Sequence, residues 1–139
     1  MMIDLARHSD EEKPISLATV AERTDLSRGY LEQLAQALKH ARLVRSVAGR
    51  KGGYRLARPP ADITIGQIVV ASIGPLRIVE CIEDPDDCPR AVGCECRIVY
   101  ELINDRITEV LNEYTLANLI DPSWVHDGEL LSSLPTLRS

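Results

Sequence analysis

All four cysteines of this 139-residue chain lie in one short, acidic segment, Cys81-Ile-Glu-Asp-Pro-Asp-Asp-Cys88-Pro-Arg-Ala-Val-Gly-Cys94-Glu-Cys96. The opening residues, Met1 to Arg7, are too few and too charged for a secretory signal peptide, so an oxidising compartment is not expected. Thiols confined to one segment then indicate metal ligation or redox chemistry rather than a disulfide framework. We therefore expect the segment to be the chemically active part of a sensor.

The chain contains no phenylalanine and a single tryptophan, so its core has to be built from Leu, Ile, Val and Ala. A core of this kind is typical of helical proteins. The length allows one compact domain, or a small domain with an association element. No apolar run approaches the roughly 20 residues that cross a bilayer, so a cytoplasmic location without a membrane partner is expected.

Charge is distributed unevenly along the chain, although the net value is −5. Residues 1–60 carry eleven Lys or Arg against seven Asp or Glu, hence +4, whereas residues 61–139 carry five against fourteen, hence −9. A basic head on an acidic body is typical of a nucleic-acid-binding module, because phosphates are neutralised by local rather than global charge. The alternative is an ordinary solvated surface.

Residues 15–40 carry the pattern of a helix, a short turn and a second helix. Ser16 and Ser27 are candidate N-caps, and the break between the helices falls at Asp25-Leu26. The second helix has apolar residues at helical spacing, namely Tyr30, Leu31, Leu34, Ala35 and Leu38. It exposes a polar set suited to phosphates and base edges, namely Arg28, Gln33, Gln36 and Lys39. An amphipathic surface helix has the same pattern, so the pair alone is weak evidence.

A glycine-rich hairpin is predicted next. Residues 43–47 and 54–57 have the composition of short strands, and the connection Ala48-Gly49-Arg50-Lys51-Gly52-Gly53 has the glycines that a tight turn requires. Arg50 and Lys51 are at its tip. A cationic hairpin directly after two such helices predicts the wing of a winged helix, which reaches the DNA backbone or minor groove. The alternative is an ordinary surface hairpin.

The C-terminal half is predicted to be helical, so the predicted fold class is mainly α with a small β-hairpin wing. One helix opens at residues 62–64 and ends at Gly74-Pro75, and a longer one runs from Arg97 to Tyr114 with an apolar stripe. We interpret the longer helix as a dimerisation element, whose two-fold symmetry would match a palindromic operator. The alternative is that its stripe packs onto its own domain. The predicted organisation has three parts. They are a winged head (1–60), a segment of residues 61–121 with a linker helix, the cysteine loop (81–96) and the dimerisation helix (97–114), and a mobile tail (122–139).

The cysteine spacing leaves more than one metal open. Six, five and one residues separate the four thiols, which differs from the paired Cys-x-x-Cys of zinc ribbons and thioredoxins. Three cysteines spread over an irregular loop can bind an iron–sulfur cluster, which needs soft sulfur ligands at several corners. Cys96, in a segment expected to be strand-like, is either a fourth ligand or spare. A structural zinc site is the alternative.

Several motifs together resemble one known family. They are Tyr30-Leu31-Glu32-Gln33-Leu34, Gly49 with Gly52-Gly53-Tyr54-Arg55-Leu56-Ala57, Gly74-Pro75-Leu76, the cysteine segment, and Thr115-Leu116-Ala117-Asn118-Leu119. In this combination, over residues 1–121, the chain resembles the Rrf2 family of bacterial winged-helix transcription regulators. The resemblance implies a homodimer, paired through the long helix, that binds promoter DNA. It also implies a [2Fe-2S] or [4Fe-4S] cluster, as in many members, on Cys81, Cys88 and Cys94, with Glu32 and Gln33 as base-reading residues.

Three features depart from the family pattern. Members usually begin earlier in the first helix, so we expect the start of this chain to be misassigned or truncated. Arg97 replaces a histidine that some members carry after the third cysteine, which leaves the fourth ligand open. Ala48 stands where the family often has a wing arginine, so DNA sequence specificity is not transferred.

We therefore expect a DNA-binding transcriptional regulator, acting as a repressor, that senses redox, nitric oxide or iron–sulfur status through a cluster on the loop cysteines. The predicted DNA-binding residues are Arg28, Tyr30, Glu32, Gln33, Arg50, Lys51, Gly52 and Gly53, and the predicted metal ligands are Cys81, Cys88, Cys94 and Cys96.

Two alternatives stay open. The first is a regulator of the same fold that binds zinc or no metal and senses a thiol or a metabolite. The second is a thiol-dependent enzyme with Cys94 or Cys96 as nucleophile. It is disfavoured, and no catalysis is expected, because neither a histidine nor a Gly-rich nucleotide loop lies near these residues in sequence.

Overall fold

The computed structural model describes residues 1–10, 13–79 and 93–123. Within these ranges the elements are, in chain order, α1 (Met2–His8), α2 (Leu17–Thr24), α3 (Arg28–His40), β1 (Val44–Val47), β2 (Gly53–Leu56), the 3-10 turn Pro60–Asp62, α4 (Ile65–Ile73), α5 (Glu95–Glu113) and α6 (Leu116–Ile120). The predicted fold class, mainly helical with a small antiparallel hairpin, is confirmed.

The two helices of the predicted pair begin and end where the sequence indicates. Ser16 Oγ accepts a hydrogen bond from the Thr19 backbone N–H at 3.1 Å, and Ser27 Oγ accepts one from that of Tyr30 at 3.3 Å. Each such N-cap is worth about 1 kcal/mol. Asp25 ends α2 in the left-handed conformation, with φ 54°, so the chain turns directly into α3. Both N-caps and the break are confirmed.

One hydrophobic core holds the head together. Its largest fully buried side chains lie between α1 and β1, just before α4, and in α6, namely Leu5, Val20, Leu31, Leu38, Leu43, Val44, Ile63 and Leu116. Burying a Leu or Ile side chain contributes about 1.5–3 kcal/mol. Ile63 and Leu116 belong to this core because α6 packs against α1 and the 3-10 turn. The chain therefore returns to the winged head after α5.

Two long-range backbone bridges fix the head. β1 and β2 pair antiparallel with Val44 opposite Leu56, and Ile15 then bridges Tyr54 through mutual N–H to O bonds of 2.9 and 2.8 Å. This bridge ties the residues before α2 to the hairpin.

The second bridge joins the start of α4 to the end of α5. Ile65 N–H donates to the Tyr114 carbonyl oxygen at 2.9 Å, and Leu116 N–H donates to that of Ile63 at 2.8 Å. α5 is therefore anchored to the head at its C-terminal end.

The helices of the C-terminal half agree closely with their predicted bounds. α4 begins after the capping box of Thr64 and Gln67 and ends at Gly74, where φ is 87°. α5 starts at Glu95 rather than at Arg97, so Cys96, expected in a strand-like segment, lies in its first turn. At about 1.5 Å per residue its 19 residues span roughly 28 Å.

Some predictions fall on residues outside the described ranges. These are the metal ligands Cys81 and Cys88 and the tail from residue 124 onward. In the part of the chain that is described, no helix combines the length and the apolar character needed to cross a membrane.

Candidate functional site

The exposed side of α3 carries the predicted base-reading residues. Leu31, Ala35 and Leu38 face the core and are fully buried, so the opposite side of the same helix faces solvent. The exposed residues include every predicted helix residue and two further polar ones, namely Arg28, Tyr30, Glu32, Gln33, Gln36 and Lys39. A second helix with such a surface, after a short turn, is the element that enters a major groove in helix-turn-helix proteins.

Two of these side chains contact each other. Arg28 Nε lies 3.2 Å from Glu32 Oε1, one turn along α3, and both side chains are more than half exposed. An exposed pair of this spacing is worth about 0.3–0.5 kcal/mol, so it opens at little cost. The guanidinium can then meet a phosphate or a guanine, and the carboxylate can accept from the amino group of cytosine.

The tip of the hairpin is a closed turn that presents two cations. Gly52 N–H donates to the Gly49 carbonyl oxygen at 2.9 Å, which places Arg50 and Lys51 at the two central positions. Both side chains are exposed. Gly49 has φ 115°, a conformation that L side chains rarely adopt. The turn therefore has the shape and charge expected of a wing tip.

Gly52 and Gly53 act through their lack of a side chain. A Cβ at Gly52 would meet the Val47 carbonyl oxygen, and one at Gly53 would meet the Ile15 carbonyl oxygen, both closer than real Cβ atoms approach. Both glycines are half-buried. They let the hairpin close and pack against the chain before α2, and direct contact with DNA stays a prediction.

Further cations near the wing were missed from the sequence. Lys13 and Arg23 line a groove of about 400 Å³ together with Arg50 and Lys51. Sequence spacing does not place them there, because the chain before α2 is brought to the hairpin by a long-range backbone bridge. The clustering of basic residues in the first 60 positions was the only signal.

Two of the predicted metal ligands lie at the start of α5. Cys94 is the N-cap residue and is partly buried, whereas Cys96, in the first turn, is exposed. The two thiols therefore differ in exposure, and the first turn of α5 begins between them. Among the residues that the structure describes, no group of three or more His, Cys, Asp or Glu could hold a metal ion.

The donors at this end fit an iron–sulfur cluster chemically. Thiolates are soft ligands of the kind that such clusters require. The thiolate of Cys94 would also lie at the N-terminal, positive end of the α5 dipole, which stabilises negative charge. Arg97 adds a cation in the first turn of α5, where its Nε lies 2.9 Å from Glu101 Oε1. The described part of the segment is thus compatible with cluster ligation by Cys94.

α5 exposes a row of large apolar side chains. They are Ile98, Val99, Leu102, Ile103, Ile107 and Val110, and Ile98 is 73% exposed. Part of this row lines an apolar groove of about 460 Å³ with Leu111 and Arg106. Contiguous exposed apolar surface of this kind marks an interaction site. The predicted dimerisation helix therefore has an apolar face that the described chain leaves uncovered.

Comparison with known proteins agrees with this geometry. The Rrf2 family model, described as an iron-dependent transcriptional regulator, matches residues 1–122. The HTH-type transcriptional regulator IscR of Vibrio vulnificus is 36% identical over 124 residues, which are 89% of this chain and 73% of that protein.

Two solved structures give the same result. CymR, the global cysteine regulator of B. subtilis, is 39% identical with a TM-score of 0.68, over 86% of each chain. IscR of T. potens is 37% identical with a TM-score of 0.69, over 94% of this chain and 87% of the other. The winged-helix architecture predicted from the sequence is confirmed by these neighbours.

Proposed function

The chain belongs to the Rrf2 family of transcriptional regulators, and from that membership we propose that it binds promoter DNA as a homodimer and represses transcription in response to redox, nitric-oxide or iron–sulfur status. The observation that carries the proposal is one small head with both a polar, exposed second helix and a cationic wing turn. These are the two parts with which a winged helix reads bases and binds the backbone.

Each part has its own task on DNA. We assign Glu32 and Gln33, which are exposed on α3, to base edges in the major groove, because an amide or carboxylate side chain can pair with the exocyclic groups there. Arg50 and Lys51 meet the backbone or minor groove, where cations contribute affinity without sequence preference.

The apolar face of α5 supports a homodimer. Its exposed Ile, Leu and Val side chains would be costly in water, and a second copy of the same helix offers a matching apolar surface. Two heads related by a two-fold axis would contact two half-sites of a palindrome.

The cluster would be held by Cys94 at the N-cap of α5 with Cys81 and Cys88 from the preceding segment, and Cys96 is the candidate fourth ligand. An iron–sulfur cluster bound there supplies a centre that reacts with oxidants and with nitric oxide. Cys94 ties that chemistry to the first turn of a long helix.

α5 then connects the cysteine end to the head. Its far end is fixed by the bridge between Thr64 and Thr115 and by Asn112, whose Oδ1 accepts a hydrogen bond from Thr64 Oγ1 at 3.2 Å. Because this junction joins α5 to the head, a displacement of Cys94 would move the helix and the head together. In a dimer, that movement changes the spacing of the two heads.

The full chain, purified without oxygen, tests the proposal directly. It should enrich a palindromic sequence from a pool of random duplexes, show visible absorbance with matching iron and sulfide, and lose affinity for the selected duplex after exposure to oxygen or nitric oxide. A failure to enrich any sequence would overturn the DNA-binding proposal. Protein that holds zinc or no metal, with no absorbance beyond the ultraviolet, would overturn the cluster and leave DNA binding standing.

Gln33→Ala separates base reading from backbone binding. Affinity for the selected duplex should fall by about 1–3 kcal/mol, while affinity for an unrelated duplex stays the same. Equal losses on both duplexes would remove Gln33 from the base-reading residues.

A second candidate is a cluster-free regulator that senses thiol oxidation. The exposed thiol of Cys96 and the similarity to the cysteine regulator CymR favour it. In that case, oxidant should change DNA affinity in metal-free protein, and Cys96→Ser should abolish the change.

A further inference from the structure

A groove separates the chain at the start of α2 from the wing turn. The α2 side contributes Lys13, Ser16, Thr19 and Arg23 to its lining, and the wing contributes Arg50–Gly52. We propose that this groove binds a phosphate of the DNA backbone, so that the α2 side and the wing turn hold one strand between them. The proposal rests on DNA binding and adds Lys13 and Arg23 to the residues that carry it.

The charge of the groove favours an anion. Four cations line it, namely Lys13, Arg23, Arg50 and Lys51, and none of the described residues in its lining is acidic. Like charges around one groove repel each other, and an anion between them relieves that repulsion.

Arg23 is held in place for this role. Its Nη1 lies 3.4 Å from the carboxylate of Asp4, which is 8% exposed, while 42% of the Arg23 side chain remains exposed. The buried carboxylate therefore anchors one part of the guanidinium and leaves the rest available to a ligand.

The two sides of the groove are joined by backbone, so the groove exists before DNA arrives. Ile15 and Tyr54 exchange backbone hydrogen bonds of 2.9 and 2.8 Å, and Gly53 packs directly against the Ile15 carbonyl. The hydroxyls of Ser16 and Thr19 lie 3.0 Å apart at the start of α2 and add polar partners for phosphate oxygens. A preformed site avoids the entropic cost of ordering long cationic side chains from separate elements.

The backbone of DNA fits this groove better than a small free anion. The lining of the groove includes Arg50 and Lys51 of the exposed wing turn, the part of the head expected to meet the DNA backbone, so a backbone phosphate would come within its reach. Backbone contacts fix the register of a protein on the duplex. The groove would thus position the head while α3 reads bases.

The test compares Lys13→Ala with Arg7→Ala. Both side chains are exposed, but Arg7 does not line the groove. Alanine at position 13 retains the backbone N–H that donates to Asp10 Oδ1 at 2.7 Å, so the local fold is kept. Fluorescence anisotropy at several chloride concentrations measures binding of the full chain to the selected duplex and to an unrelated duplex of equal length.

Lys13→Ala should weaken binding to both duplexes by the same factor and reduce the log–log salt slope by about 1 per protomer. Arg7→Ala should match the wild type. Ethylation of one phosphate in each half-site should weaken binding of the wild type more than binding of Lys13→Ala, because the variant has already lost one of the four cations at that phosphate, and this locates the contact.

Three results would overturn the proposal in distinguishable ways. Wild-type affinity and salt slope in Lys13→Ala, with weakened binding when Arg50 and Lys51 are both changed to Ala, would exclude the groove and keep the wing. Wild-type protein that binds neither duplex would overturn the groove and the proposed function together. Inorganic phosphate that competes more strongly than chloride at equal ionic strength, in the wild type but not in Lys13→Ala, would assign the groove to a free anion.

Discussion

Two glycines of the head differ in the space available for a side chain. Gly53 lies in β2 where a Cβ would collide with the Ile15 backbone, whereas a Cβ at Gly29, in the first turn of α3, would have nothing within 4 Å. The close approach at Gly53 is what allows the bridge between Ile15 and Tyr54 to form. A side chain at position 53 would push β2 and the residues before α2 apart, and so would displace both sides of the groove.

Alanine at these positions should therefore have opposite effects. Gly53→Ala should lower the free energy of unfolding by about 1–3 kcal/mol, because backbone rather than a flexible side chain has to move. Gly29→Ala should raise it by up to about 1 kcal/mol, because alanine loses less backbone entropy in a helix. Urea denaturation followed by circular dichroism measures both, and equal stability of the two variants would contradict the close approach.

At the scale of elements, local signals were sufficient for α2, α3 and α4, whereas α6 was not predicted and α5 was predicted to begin two residues late. Ser16, Ser27, Thr64 and Gly74 each begin or end a helix through contacts within a few residues, so the sequence could predict them. The return of α6 to the core could not be predicted, because Leu116 pairs with Ile63 across more than fifty residues.

The candidate site also contains residues that local sequence patterns predict and residues that only tertiary packing brings together. The α3 surface and the wing turn follow from helical periodicity and turn composition, and both were predicted. Lys13 and Arg23 were missed because they reach the wing only through tertiary packing. Cys96 was assigned to a strand-like segment because Cys94-Glu-Cys96 alone gives no sign that a helix has already begun.

The junction of α4 and α5 gives a prediction at this scale. Gly66 is buried in α4, and a Cβ there would collide with the side chain of Asn112 on α5, which also accepts the hydrogen bond from Thr64 Oγ1 at 3.2 Å. Gly66→Ala should destabilise the protein, and adding Asn112→Ala should recover part of the loss because it removes the obstructing amide. The coupling energy should be about 0.5–3 kcal/mol in a double-mutant cycle of unfolding free energies. Strictly additive effects would show that the two positions do not determine how α5 attaches to the head.

At the scale of the whole molecule, the described chain is a well-packed head joined to a helix whose apolar face is exposed. α5 has no buried residue, in contrast to α3, which buries three. A second copy of the chain would cover this face and would set the distance between two reading heads. Dimerisation and DNA affinity should therefore be linked.

Ile103→Asp should separate the copies. A carboxylate in the proposed seam has no partner and loses its hydration, which is strongly unfavourable. Sedimentation should show monomers with unchanged helix content, and binding to the palindromic duplex should fall while the head stays folded. Glu113→Gln is the control on the same helix, because Glu113 is exposed and does not line the apolar groove that contains Ile103. An unchanged dimer in Ile103→Asp would place the interface elsewhere.

The sensor can be tested without disturbing the head, because none of the fully buried side chains of its core belongs to the cysteine segment as far as the structure describes it. Cys81→Ser, Cys88→Ser and Cys94→Ser should each abolish the visible absorbance and leave substoichiometric iron, with thermal unfolding of the head unchanged. Cys96→Ser is the discriminating variant. It should alter the spectrum or the stability of the cluster if Cys96 is the fourth ligand, which we favour because thiolate is the softest donor nearby.

An unaltered spectrum in Cys96→Ser would contradict that assignment. Cys94 is the partly buried N-cap of α5, whereas Cys96 is exposed in its first turn, so the two thiols differ in their access to solvent. The fourth ligand would then be another group, such as a carboxylate of the loop or His8, which lies in α1 with its Nδ1 3.2 Å from Asp4 Oδ1. The spectrum of this single variant therefore determines whether the cluster is held by the first turn of α5 through Cys96 as well as by its N-cap residue Cys94, and so how directly a change at the cluster would reach the helix.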